Sequence, residues 1–390
     1  MRSPSIIEAV RSPFGKRGGV FSGLRPDALL AQVLTALLSR SGAAPDMIDD
    51  VVVGCVSQAG EQGGNVARQA SLLAGLPIRT PGVTLNRMCS SGQTAVHFAA
   101  QAIAAGDADY VIGAGVEHMS RVPMFLDVTL GPAFSDWSGL NPDLLERYEM
   151  PHQGISAELL ARHWHMSRPE LDAYAMQSHR RASAAAMAGK HTEIVPITVN
   201  AEGSAQTRVL HDEGIRHQLD PERVAALRPL FDPENGVVTA ANSSQMTDGA
   251  AAVLVADADR ARADGLQPKA RFLARVAIGS DPRMQLDGVV ASTREALRRA
   301  GLQWQDIDWI EINEAFASVP LAWSREFDVG QDRFNLWGGA IAHGHPLGAT
   351  GAGLIAKTLA ALEAMDGEIG LIVFCAGHGM STATLIQRMR

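Results

Sequence analysis

Apolar positions along the chain fall into short runs separated by longer Ala- and Leu-rich stretches that stop at glycine, a pattern of strands alternating with helices. The same order occurs twice. Residues 40–54, "RSGAAPDMIDDVVVG", and residues 299–313, "RAGLQWQDIDWIEIN", each end a helix, pass a glycine and a short polar link, then reach Ile-Asp and an apolar strand. "VIGAGVEHMS" (111–120) matches "IVFCAGHGMS" (372–381), and the small-residue helix "GQTAVHFAAQAIAAG" (92–106) matches "GATGAGLIAKTLAAL" (348–362). Three pairs in nearly constant register predict a duplicated α/β unit.

The middle of the chain has another texture. Residues 121–238 carry helical stretches, with Ser167–Pro169 as an N-cap and first turn, and the polar stretch "VNAEGSAQTRVLHDEGIRHQ" (199–218). They read as an insertion on one half. "GVVTAANSSQMTDGAAAVLVAD" (236–257) then predicts a strand, a polar turn and a second strand closing that half. The expected organisation is a first half from 1–120 plus 239–258, an insert at 121–238, and a second half at 259–390.

Composition narrows the function. The 390 residues are 46% hydrophobic, poor in aromatics and rich in glycine, which suits helices packed closely on sheets. A net charge of −8 gives no basic field for nucleic acid or anionic lipid. The N-terminal apolar run is broken by Glu8 and Arg11, so neither a signal peptide nor a spanning segment is expected. Cys55, Cys89 and Cys375 form no disulfide framework, and a reducing, cytoplasmic setting is the expectation.

Two turns carry candidate chemistry. In "NRMCSSG" (86–92), Cys89 falls between a strand-like segment and a helix start, where unpaired N–H groups and the helix dipole favour a thiolate and predict a lowered thiol pKa. An inert core cysteine is the competing reading. In "GGAIAHGHPLGATG" (338–351), His345 occupies the equivalent turn of the second half and would be brought toward Cys89 as a base. "FCAGHGMS" (374–381) places Cys375 before a loop whose backbone N–H groups suit an oxyanion. Asn313 in "EINEAFAS" (311–318) suits either a carbonyl contact or a helix cap. His343, His345, Cys375 and His378 could instead hold a metal, and Cys89 with Cys375 could sense redox state; neither set has the close spacing such sites use.

"NRMCSSG", "NSSQMTDGAA", "NEAFA", "GGAIAHGHPLGATG" and "CAGHG" occur together, and over essentially its whole length the chain resembles the thiolases. The resemblance implies two βαβαβαββ halves in five α-β-α-β-α layers, with 121–238 as a loop domain covering coenzyme A. It implies Cys89 as the acyl-carrying nucleophile, His345 as its activator, and Asn313 as the anchor of a water in one oxyanion hole. Cys375 would be the general acid/base, and the N–H groups of Cys89 and Gly377 a second oxyanion hole. Arg216 and Ser244 match coenzyme A contact positions, with His152 and Gln153 beside them. Coenzyme A and acetyl-CoA would be substrates, with no permanently bound cofactor and no metal, and the assembly a homodimer or homotetramer. A biosynthetic acetoacetyl-CoA-forming acetyltransferase is the nearest alternative; a decarboxylating ketoacyl synthase of the same fold would lack Cys375. Gln153 replaces a usual methionine at the acyl pocket, while Trp337, His343 and His378 also depart from the usual pattern, through either packing or an altered proton network.

Overall fold

The computed structural model describes residues 2–129, 140–199 and 206–390. The first half runs β1 (Pro4–Arg11), β2 (Gly15–Lys16), α1 (Pro26–Ser41), β3 (Asp50–Gly54), α2 (Val66–Leu73), β4 (Gly82–Leu85), α3 (Ser91–Ala105) and β5 (Tyr110–His118). The insert follows with α4 (Leu126–Thr129), α5 (Pro142–Arg147), α6 (Gln153–His163), α7 (Arg168–Met187), β6 (Ile197–Val199), β7 (Thr207–Val209) and α8 (Pro221–Ala225). β8 (Thr247–Asp257) returns to the first sheet, and α9 (Ala258–Ala263) leads out of it. The second half contains β9 (Ala270–Gly279), α10 (Gly288–Ala300), β10 (Trp309–Ile312), α11 (Ser318–Phe327), α12 (Ala340–His343), α13 (Leu347–Met365), β11 (Ile369–Ala376) and β12 (Met380–Arg388). Residues 130–139 of the insert and 200–205 of its polar stretch lie outside the described residues.

Duplication is explicit in the strand order, β10-β11-β12-β9-β1-β8-β5-β3-β4. β3 is parallel to β5, which is antiparallel to β8, which is antiparallel to β1. β10, β11, β12 and β9 repeat those three relations, and β1 joins β9 antiparallel across the middle. The repeated Ile-Asp has a physical reason. Asp49 accepts from the N–H groups of Asp109 and Tyr110 where β5 starts, and Asp308 accepts from Glu368 and Ile369 where β11 starts. Each aspartate fixes the register of a parallel neighbour. The preceding helices end alike, on Gly42 and Gly301 at φ 74° and 68°, a left-handed cap that favours glycine.

Alternating strand residues face different cores, which is why the strands read as unbroken apolar runs. Val51, Val53, Ala252 and Leu254 pack under α1 and α2, whereas Val52, Val111, Ala251 and Val253 face α3 and α13. Ile372 and Phe374 meet that same central helix pair from the second half, while Leu371 and Val373 face α10 and α11. The layers are therefore helix, sheet, helix pair, sheet, helix. The central pair crosses at glycine: a Cβ on Gly92 would stand 2.5 Å from Gly348 O, and one on Gly351 2.2 Å from Gln93 N. That contact brings the N-termini of α3 and α13 together.

The insert is fastened by buried charge. Arg11 at the end of β1 forms a bidentate pair with Asp212 and bonds Glu193, all buried. Burial works against the Asp212 charge, but the Arg11 guanidinium holds its carboxyl below the usual carboxylate range. Ser167 caps α7 and Pro169 lies in its first turn, as expected. One expected strand is absent: residues 236–240 form no ladder, because the Val237 and Val238 amides donate to the Glu158 carboxylate and Val238 O accepts from Leu230. Among the described residues no helix is long and apolar enough to cross a membrane.

Candidate active site

Cys89 lies in the turn between β4 and α3, with Ser90 as N-cap and Met88 at φ 49°. It is 3% exposed and packs with Val56, Met119 and Leu347, so two halves and the insert border together close over it. Sequence position predicts a lowered thiol pKa; the structure reverses this. Burial pushes the Cys89 thiol up to about 11, outweighing hydrogen bonds to sulfur from the Gly377 N–H, the Gln153 side chain and its own N–H. At rest the residue is a neutral thiol.

His345 precedes α13 in the equivalent turn. Its N–H donates to Gln245 O at 2.9 Å. Thr350 Oγ1 donates to Pro346 O at 2.9 Å, so at 2.7 Å it accepts the Nδ1 proton of His345. The Nε2 lone pair is then left facing the Asn313 amide, whose Nδ2 lies 3.3 Å away. Burial drives His345 down to about 3, so the imidazole is neutral and able to accept a proton at Nε2. Thr350→Val removes the acceptor that sets this tautomer. It is expected to lower kcat about tenfold or more with little change in KM, read by steady-state kinetics.

Cys375 ends β11, fully buried, and the nearby Cys89 adds to the burial that raises its thiol pKa. All three cysteines are free, and Cys55 is an ordinary core side chain. Beside this centre opens a cleft of about 390 Å³ bordered by His152, Gln153, Arg216, Ser244, Phe316 and His345. Every residue expected to contact coenzyme A thus borders one cleft with His345, and Gln153 links that cleft to the Cys89 sulfur. His152 caps α6 through its Nδ1 and stacks on Phe231 at 5.1 Å; Arg216 is exposed, and Ser244 N–H donates to Ala315 O.

Several supporting residues escaped the sequence reading. Glu117 accepts from the N–H groups of Val56, Ser57 and Gly348, joining the floor beneath Cys89 to the first turn after His345. Glu314 accepts from Tyr174, Ser178, Asn335 and the Ile341 N–H, tying the insert to the loop before α12. A Glu beside Asn313 was the only signal. Gln285 had none: it lies far from every motif, yet it bonds Pro151 O, Ser156 Oγ and the His378 N–H.

The unusual residues resolve partly into packing. Trp337 is buried edge-on against Trp309 at 5.1 Å, and His343 is buried against Phe14 with its Nδ1 donating to Gly344 O. His378 adopts φ 65°. Among the described residues no group of three or more His, Cys, Asp or Glu side chains is placed to hold a metal ion.

Buried neutral histidines set a pH dependence. His97, bonded to Thr384, is also pushed by burial to about 3. Since folding lowers both values below the ordinary 6.5, their stabilisation is complete above about pH 6.5. It is lost as pH falls toward 3, at about 1.4 kcal/mol per pH unit for each histidine. The melting temperature is expected to fall steeply from pH 6.5 to 5 and to be flatter for His97→Gln; an equally steep fall in that variant would contradict the assignment.

A duplicated α/β scaffold that holds two buried cysteines and an Asn–His pair beside one ligand-sized cleft suits acyl transfer through a thiol. Comparison with known proteins agrees. The thiolase N-terminal domain model matches residues 5–259 and the thiolase C-terminal domain model residues 266–388. A steroid 3-ketoacyl-CoA thiolase of Mycobacterium tuberculosis is 43% identical, covering 100% of this chain and 95% of its own. A 3-ketoacyl-CoA thiolase of a Shewanella species is 42% identical over the full length of both chains. The crystal structure of the Bacillus anthracis acetyl-CoA acetyltransferase superposes with a TM-score of 0.91 at 33% identity, covering 100% of this chain and 99% of that one. The chain belongs to the thiolase family.

Proposed function

We propose that the protein catalyses coenzyme A-dependent thiolysis of 3-oxoacyl-CoA, and the reverse Claisen condensation, through a thioester on Cys89. The observation that carries this reading is the His345 tautomer fixed by Thr350, which aims a neutral, proton-accepting Nε2 at the site. In the first half-reaction the Cys89 thiol gives its proton to His345 Nε2 as sulfur attacks the 3-keto carbon. The 3-oxygen becomes an oxyanion facing the N–H groups of Cys89 and Gly377, while the enolate oxygen that forms on cleavage is held by His345 and a water on Asn313. Cleavage of the Cα–Cβ bond leaves the acyl group on Cys89 and an acetyl-CoA enolate, which Cys375 protonates. In the second, the coenzyme A thiol passes its proton to the Cys375 thiolate and attacks the thioester, whose oxygen faces the N–H groups of Cys89 and Gly377. Cys89 leaves with the proton from His345, and both residues return to their starting state.

Coenzyme A would lie across the cleft beneath the 121–238 insert, with Arg216 at the mouth and Ser244 and His152 along it. The same reading includes a cytoplasmic homodimer or homotetramer; among the described residues β4 has a partner on one side only, an edge that a second copy can extend. The test is thiolysis of a panel of acetoacetyl, medium-chain, branched and ring-bearing 3-oxoacyl-CoAs, followed by acetyl-CoA release. Turnover of at least one is expected, and turnover of acetoacetyl-CoA alone would favour the biosynthetic acetyltransferase. No turnover across the panel contradicts the proposal.

A further inference from the structure

Gln153 begins α6, and its side chain reaches the centre of the site. A Cβ built on Gly377 would stand 2.5 Å from Gln153 Nε2, so glycine at 377 is what leaves space for the amide. The Met88 side chain borders the same point, its terminal methyl 3.2 Å from that built Cβ. The Gln153 amide and the Gly377 N–H both approach the Cys89 sulfur as donors that favour its thiolate. One residue holds these two donors in place. The buried Gln285 donates to Pro151 O at 2.7 Å and to Ser156 Oγ at 3.1 Å, gripping the start of α6. Its oxygen accepts from the His378 N–H at 3.0 Å, gripping the loop that carries Gly377. The grip runs between the insert and the second half, while the sulfur belongs to the first.

We infer that Gln153 is a catalytic residue whose carboxamide donates to the Cys89 sulfur as negative charge develops on it, and that Gln285 is its positioning residue. This rests on the acyl-transfer reading. Once Cys89 is acylated, the Gly377 N–H is needed at the thioester oxygen, and Gln153 is the donor that stays on sulfur. When coenzyme A attacks and Cys89 departs, charge returns to the same atom and meets the same amide. A methionine in this position fills the volume and donates nothing.

The test compares the wild type with Gln153→Met and Gln153→Glu, each checked for an unchanged melting temperature. Alkylation of Cys89 by iodoacetamide is followed from pH 7 to 9, together with single-turnover acylation by a 3-oxoacyl-CoA. A hydrogen bond to a charged group predicts about tenfold slower alkylation in Gln153→Met at every pH, a profile displaced by about one unit. Acylation is expected to slow about tenfold as well, and Gln153→Glu to be slower still because its carboxylate opposes the thiolate. Gln285→Met should move the alkylation profile in the same direction by a smaller amount. Superposition of the Gln153→Met profile and acylation rate on those of the wild type overturns the inference. If the wild type turns over no 3-oxoacyl-CoA, the acyl-transfer reading fails, and the alkylation profile still decides whether Gln153 acts on the sulfur.

Discussion

Cys89→Ala is expected to abolish thiolysis of every substrate the wild type accepts, lowering kcat about 10⁴-fold or more. No other thiol is expected to take over, because Cys375 is assigned to proton transfer at the enolate and Cys55 is enclosed in the outer core. The fold should be unaffected: one sulfur is removed from a small cluster with Val56, Met119 and Leu347, a loss of about 1 kcal/mol. Melting temperature and substrate affinity, measured beside kcat, separate loss of chemistry from loss of structure. Full activity in Cys89→Ala would show the mechanism to be wrong.

His345→Ala carries the second large effect. With Cys89 pushed up to about 11 and His345 down to about 3, the pair rests as thiol and imidazole instead of as an ion pair. Proton transfer must then accompany attack, and removing the acceptor leaves the thiol proton with nowhere to go. A loss of about 10³-fold in kcat at pH 7 is expected, within the usual range for a general base. Activity of His345→Ala should rise with pH up to at least 9, as hydroxide produces the thiolate that the wild type makes through His345. A loss of similar size that does not vary with pH would assign His345 a role in oxyanion binding alone.

Thr350→Val belongs to the same chain of argument, and its smaller effect follows from geometry. The valine leaves the imidazole in place but frees its Nδ1 proton from an acceptor, so the productive tautomer loses its preference without being excluded. Asn313 contributes from the other side, since an amide N–H toward Nε2 is favourable only when Nε2 carries the lone pair.

Much of this was legible in the sequence, for identifiable reasons. Glycine stops and the Ile-Asp pairs recur because each half needs the same helix cap and the same clamp on a parallel strand. The turns carrying Cys89 and His345 could be paired before the fold was known because they open equivalent helices. What could not be read depends on residues distant in sequence. The direction of the Cys89 shift was misjudged because a helix start is visible locally, whereas the side chains that bury it come from residues 56, 119 and 347. The extended segment at 236–240 looked like a strand because a carboxylate on α6 satisfies its amides just as a neighbouring strand would. Gln285 joins two loops from outside every recognisable motif.

The central claim is a covalent acyl group on Cys89. It is tested most directly by mixing the protein with a 3-oxoacyl-CoA in the absence of free coenzyme A, then measuring intact mass and mapping the modified peptide. The account predicts one acyl group per chain on Cys89, one equivalent of acetyl-CoA released, and discharge of the adduct when coenzyme A is added. Acetyl-CoA release without an adduct, or an adduct on any other residue that discharges at the catalytic rate, would contradict it.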